Sequence, residues 1–266
     1  MASNSIDNAK CILVIGATSG IGRALAIALS ELPSHPSVIA AGRRQDRLKE
    51  LEDKKLETVQ LDVTADTQTL KATVDSLIAK YPNVRAQQLY DDALAFISGI
   101  QYQHYFNQSV DLNQINREIQ VNYLSVVSVI SMFMPHLLEL SNKGLPSFIA
   151  PVTSGLAFLP AAPVINYCAS KAALRSFTTS LRMQLADTKI SVIEIIPPLV
   201  ESELHDEQGT TAHLSKFWMP LDEYTKITVD GLRKGDSHVA AGTADNVLKM
   251  FEQADLNGAF PVPKLQ

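Results

Sequence analysis

Short apolar runs rich in β-branched residues alternate with longer stretches of helical periodicity along most of the chain. The strand-like runs fall at residues 11–15, 38–41, 58–61, 94–97, 148–152 and 190–196. Helical patterns lie between them at 21–32, 47–53, 67–80, 115–140 and 167–187. The strand runs are continuous in apolar character rather than alternating, the mark of strands covered on both faces. Strands alternating with helices imply parallel pairing through right-handed crossovers. The expected fold is therefore α/β, a Rossmann-type doubly wound parallel sheet flanked by helices on both faces. No linker or composition break divides the chain, so one domain spanning 1–266 is expected. Two stretches fit the pattern poorly. Residues 85–92 are polar and make a weak start for the fourth strand, and 203–235 is a polar segment with Gly209 and Pro220 that interrupts the alternation. Loops at the C-terminal ends of strands carry function in such sheets, which makes 203–235 a candidate substrate lid.

Composition narrows the class. The chain has 266 residues, 46% of them hydrophobic, with two cysteines and a formal net charge of −5. A chain of this size buries enough surface to stand without disulfides or a metal. Cys11 and Cys168 cannot build a disulfide framework, which points to a reducing compartment. The acidic balance argues against nucleic-acid binding, since phosphate contacts need clustered Lys and Arg. No continuous 18-residue apolar run exists and 11–15 is too short for a signal-peptide core, so neither a membrane span nor a secretory leader is expected. The six histidines show no metal-ligand spacing and read as ordinary surface residues, with substrate contact the alternative for His205 and His213 in the 203–235 segment. A soluble cytoplasmic protein acting on small molecules is the starting expectation.

The first strand runs directly into Gly16-Ala17-Thr18-Ser19-Gly20-Ile21-Gly22, which opens a helix. Glycines allow a tight turn and close backbone approach, and the helix N-terminus at Ile21 offers backbone N–H groups to a diphosphate, with Ser19, Gly20 and Gly22 beside it. A glycine triplet alone can be a plain strand–helix turn, but its place inside a βαβ unit favours a dinucleotide. The second strand ends in Gly42-Arg43-Arg44 with no carboxylate. A carboxylate there would bind a ribose 2′-hydroxyl, whereas arginine can bind a 2′-phosphate bidentately. NADP(H) is thus favoured over NAD(H), unless Arg43 and Arg44 merely solvate a loop or pair with Glu50 or Asp53. Asp62-Val63, after the third strand, sits where a side chain could reach an adenine amine.

Tyr167 and Lys171 open a helix four residues apart, on one face. A free phenol titrates near 10. A cation about 4 Å away in a partly screened site can lower that by up to about 3 units, into the range a general acid or base needs. Thr153-Ser154-Gly155 follows the fifth strand, and Asn122 lies in the long helix before it.

Taken together, Gly16-x3-Gly20-x-Gly22, Asp62-Val63, Asn122, Ser154, Tyr167-x3-Lys171 and Pro197-Pro198-Leu199-Val200-Glu201-Ser202 resemble the short-chain dehydrogenase/reductase family over nearly the whole sequence. The resemblance implies hydride transfer between a nicotinamide cofactor and a carbonyl or alcohol. It implies Tyr167 as proton donor and acceptor, Ser154 orienting the substrate oxygen, Lys171 on the nicotinamide ribose, and Asn122 holding a relay water. It places Gly99, Pro197, Val200 and Ser202 against the cofactor, and it suggests a homodimer or homotetramer built on the helices at 115–140 and 167–187. Two departures stand out. Ile15 replaces a Thr, and Phe96-Ile97-Ser98-Gly99 stands where the family has Asn-Asn-Ala-Gly. The altered fourth strand keeps a second reading open, a non-catalytic NADP(H)-binding sensor or regulator on the same scaffold. Phe217-Trp218-Met219 could pack over a substrate or into the core, and Cys168 reads as a buried, inert thiol.

Overall fold

The computed structural model describes residues 5–81 and 91–256; residues 85–90 of the polar stretch before the fourth strand lie outside them. Six strands, β1 (Ala9–Ile15), β2 (Ser37–Gly42), β3 (Glu57–Gln60), β4 (Asp91–Phe96), β5 (Ser147–Pro151) and β6 (Ile190–Val192), form a sheet in the order β3-β2-β1-β4-β5-β6. Every pair is parallel. The strand order reverses between β1 and β4, and the crevice at the carboxyl ends of those strands is where such sheets bind ligands. Helices α1 (Gly20–Ser30), α2 (Gln45–Glu52) and α3 (Thr67–Lys80) supply the first crossovers. The fold is the expected Rossmann-type sheet with helices on both faces.

The continuous apolar runs have their reason in two cores. Along β1, Ile12 and Val14 pack with Leu25 and Leu29 of α1 and with Phe148 of β5. The intervening Leu13 and Ile15 pack on the other face with Leu70 and Val74 of α3 and with Ile130 and Phe133 of the long helix. Ile15, where the family's Thr is missing, is thus a core residue. Phe96 belongs to the same core as Ile15, and Ile97 packs against the opposite one.

The long helix comprises α4 (Leu112–Ile119), a π-helical turn at Gln120–Leu124 and α5 (Ser125–Asn142). Over an 18-residue window its mean hydropathy of 1.5 would suit a membrane span by length and composition, which the lack of a continuous apolar run did not suggest. Its Val126, Val129, Ile130, Phe133, Leu137 and Leu140 are buried against the sheet, as in a core helix.

The single sixth strand expected at 190–196 is two short strands, β6 and β7 (Glu194–Ile196), divided at Ile193. The cause lies in the neighbouring strand. Ile193 N donates to Ile149 O and Thr153 N to Ile195 O, both at 2.9 Å, so β5 continues alongside. The rung between them would need an N–H on Pro151, which proline lacks. Beyond the break β7 pairs with β8 (His238–Ala240), which leads into α9 (Gly242–Leu256).

The segment read as a lid also divides. Its first part, with a 3₁₀ turn at Glu203–His205 and the single-turn α7 (Thr211–Leu214), lies over the site. Its second part is α8 (Leu221–Lys234), a scaffold helix whose fully buried Tyr224 joins the α1-side core. Phe217 packs into neither site nor core; it is 69% exposed, whereas Met219 packs against the core.

Candidate active site

β1 delivers the chain into a turn that only glycine can make. Gly16 and Gly20 have φ of +92° and +48°, in the left-handed region. A Cβ on Gly16 would lie 2.7 Å from Ser98 N, and one on Gly22 only 2.2 Å from Gly16 O. The turn is pulled against β2 by Gly16 N and Ala17 N, which both donate to Ala41 O. At the start of α1, Ser19 makes no side-chain cap bond and the first turn carries no acidic residue, leaving an electropositive helix end.

A cavity of about 380 Å³ runs along this turn. Of the residues expected at a cofactor, Gly16, Ser19, Gly20, Ile21, Gly22, Arg43, Arg44, Asp62, Val63, Gly99, Tyr167, Lys171, Pro197 and Ser202 line it. Val200 and Ser154 instead line a second cavity of about 530 Å³. Asn122 lines neither, because its amide is engaged from behind. Its Oδ1 accepts from Ile100 N at 2.9 Å and its Nδ2 donates to Ile100 O at 2.9 Å and to Ser170 Oγ at 3.0 Å. The π turn that carries Asn122 is where the long helix opens to meet the chain beyond β4. Such turns recur at functional positions. A Cβ on Gly99 would stand 3.7 Å from both Asn122 Oδ1 and Lys171 Nζ, so the altered end of β4 keeps its close backbone approach here.

Arg43 and Arg44 differ. Arg44 does not pair with Glu50 or Asp53. Its Nη1 donates to Glu203 Oε2 at 2.9 Å and its Nε to Thr18 Oγ1 at 3.3 Å, while Glu50 takes Arg23. Arg43 is exposed and forms no ion pair among the described residues. Asp62 Oδ1 accepts from Thr64 Oγ1 and Thr64 N, which hold its carboxyl below the usual range against the opposing effect of burial; Arg43 adds to the lowering.

Tyr167 is 7% exposed. Burial raises its phenol well above the usual value, and a hydrogen bond with Ser154 partly offsets the rise. Lys171 Nζ lies 5.7 Å from the Tyr167 ring centroid and donates to Val152 O at 2.8 Å. Burial pushes Lys171 itself down to about 8. The lysine-driven lowering of the phenol expected from the spacing is therefore outweighed by desolvation of both groups.

Two residues around the site, Glu118 and Glu194, escaped the sequence reading, and the structure places two that did not, His205 and Cys168. Glu118, fully buried, accepts from Tyr102 N at 2.9 Å and from Asn166 Nδ2 at 2.6 Å, and burial raises its carboxyl. It stands one helical turn before Asn122 and so shares a face with it, the one signal that could have singled it out. Glu194, also buried, accepts from Thr153 Oγ1 at 2.7 Å, directly beneath Ser154. His205 is not a surface histidine but 4% exposed, and no hydrogen bond reaches its buried Nδ1. Cys168 is buried, accepts from Ala161 N at 3.3 Å, and has its thiol pushed up by burial, which makes it a poor nucleophile.

The sequence profile described as short chain dehydrogenase matches residues 10–213. An uncharacterised oxidoreductase of Bacillus subtilis, DltE, is 35% identical over 86% of this chain and 86% of its own. An NADP-dependent 3-hydroxy acid dehydrogenase of Schizosaccharomyces pombe is 26% identical over 88% of this chain and 91% of its own. A short chain dehydrogenase/reductase from Burkholderia phymatum, solved in complex with NAD, superposes with a TM-score of 0.77 at 17% identity, covering all of both chains. With its profile match over more than half its length and its likeness to the Bacillus protein, the chain belongs to the short-chain dehydrogenase/reductase family of oxidoreductases.

Proposed function

We propose that this oxidoreductase is NADP(H)-dependent and interconverts a carbonyl and a secondary alcohol, with Tyr167 as general acid and base. The observation that carries the reading is the position of Tyr167, which alone of the Ser154–Tyr167 pair lines both the glycine-turn cavity and the cavity beyond it. A dinucleotide fits the first cavity on this chain's own terms. The turn has no room for a Cβ at Gly16 or Gly22, and a helix N-terminus without acidic residues faces it. Gly16, Ser19, Gly20, Ile21 and Gly22 would hold the diphosphate. Asp62 and Val63 would lie at the adenine, with Lys171, Gly99, Pro197 and Ser202 toward the nicotinamide end.

When bound, the nicotinamide supplies or accepts the hydride. Ser154 holds the substrate oxygen, and Tyr167, kept protonated by burial, donates its proton to that oxygen during reduction. In oxidation the phenol must first lose that proton, and the Lys171 ammonium close to the ring favours the charged form. Asn122, its amide taken up by Ile100 and Ser170, fixes the chain beyond β4.

The relatives differ on the cofactor, so the preference for NADP(H) rests on Arg43 and Arg44 and on the absence of a carboxylate at the end of β2. The altered fourth strand, which favoured a non-catalytic sensor, buries Phe96 in the core and leaves Gly99 against Lys171. It gives that alternative no support. Association into a homodimer or homotetramer through the long helix and α6 (Ile165–Gln184) belongs to the same proposal. Exposed Leu124, Leu138 and Met183 on these helices support it, and two free cysteines suit a cytoplasmic setting. Calorimetric titration with NADPH and NADH, followed by NADPH oxidation against a carbonyl panel, tests the reading. Tighter NADPH binding with turnover is expected, and binding of neither cofactor at millimolar concentration removes it.

A further inference from the structure

The second cavity, about 530 Å³, has walls of one chemical kind. Leu156, Leu159, Val164, Leu199, Leu214 and Val247 are among its apolar lining residues, which outnumber the polar ones. Among its described lining residues there is no Lys, Arg, Asp or Glu; the polar ones are hydroxyls, amides and two histidines. Charge is confined to the neighbouring glycine-turn cavity, where Arg43, Arg44, Asp62, Glu203, Asp206, Glu207 and Lys171 lie. A carboxylate or sulfonate entering the apolar cavity would lose its hydration and meet no counterion there. The volume lies within the range of about 300–1,000 Å³ that holds a drug-sized ligand, larger than a two- or three-carbon compound requires.

Among the polar lining residues, His205 bears on the charge of the wall. His205 sits on this cavity, 4% exposed, and its buried Nδ1 has no hydrogen-bond partner. That atom has almost no accessible surface, so it faces the surrounding protein rather than the open volume of the cavity. Burial lowers the imidazole pKa, with Asp206 opposing the shift, so His205 adds a neutral ring to the wall rather than a cation.

We propose that the substrate is an uncharged, largely apolar ketone, aldehyde or secondary alcohol, received by a cavity that offers no charged side chain. The proposal rests on Tyr167 and Ser154 forming the reacting end of this cavity. It sets the chain apart from its hydroxy-acid-dehydrogenase relative, whose substrate class carries a carboxylate.

The test uses the NADPH-loaded full chain and three phenyl ketones of matched shape: butyrophenone, benzoylpropionic acid and its methyl ester. The kcat/KM for the ester should exceed that for the acid by about 100-fold or more. Calorimetric affinities for the same ligands separate this proposal from the reaction. If no ketone is reduced but the ester binds more tightly than the acid, the cavity assignment stands and the oxidoreductase step falls. An acid bound or turned over as well as its ester, or no binding of any of the three, overturns the uncharged-substrate proposal.

Discussion

Replacing Glu203 by Gln is expected to tighten NADPH and leave NADH nearly unmoved. Glu203 Oε2 accepts from Arg44 Nη1 at 2.9 Å, and its Oε1 lies 3.5 Å from Arg47 Nη2. A 2′-phosphate reaching Arg44 must share that arginine with the carboxylate or displace it. The side chains of Arg44, Arg47 and Glu203 are 36%, 38% and 44% exposed, which puts each pair on the scale of surface ion pairs, about 0.2–1 kcal/mol, rather than of buried ones. Glutamine keeps a neutral acceptor for Arg44, so the gain falls in the lower part of the summed range, about two- to five-fold in Kd. Calorimetry with both cofactors at low salt reads the ratio directly. About 0.5 M salt should shrink the effect, because screening then acts within a few ångströms. Weaker NADPH binding in Glu203→Gln, or an equal gain for NADH, would show that Arg44 does not meet the 2′-phosphate.

Arg43→Ala should narrow the NADPH-over-NADH preference by about ten- to hundred-fold through loss of a charge-assisted phosphate contact, read by the same titration. Gly22→Ala places a Cβ 2.2 Å from Gly16 O and should cut NADPH affinity at least tenfold; unchanged affinity would remove the turn from the cofactor site. Lys171 titrates near 8 when folded against its ordinary 10.5, so the unfolded chain binds more protons between those values. Stability should therefore rise as pH rises from about 8 toward 10, and Lys171→Met, followed by denaturant melts, should abolish that rise. Glu118→Ala leaves the buried Tyr102 N without its acceptor, at about 1–3 kcal/mol, while Asn166 Nδ2 keeps Ile115 O, and should lower Tm by several degrees in a thermal melt.

What the chain reveals of itself depends on distance along it. The β1–glycine–α1 unit is legible because its signals are contiguous, an apolar run followed at once by a turn that needs glycine. Tyr167 and Lys171 are legible because helical spacing puts them on one face. The break at Ile193 is not, since its cause is Pro151 in a neighbouring strand. Glu118 looks like any acidic helix residue until Asn166, 48 positions away, and Tyr102, 16 away, close over it. His205 likewise owes its burial to the fold of 203–214 over the site. Part of the lid expectation was recoverable. Leu221, Tyr224, Thr225, Thr228 and Leu232 recur at helical spacing, but the polar composition of the stretch masked the amphipathic face of α8.

The central claim is that Tyr167 moves the proton. Tyr167→Phe keeps the ring and its packing and deletes only the hydroxyl, so single-turnover oxidation of bound NADPH by an accepted carbonyl isolates that one atom's contribution. The account predicts NADPH affinity close to that of the unmodified chain and a rate of carbonyl reduction lower by about 10²–10⁴-fold, the usual worth of a positioned general acid. A Tyr167→Phe chain that reduces the same carbonyl at the unmodified rate would contradict it.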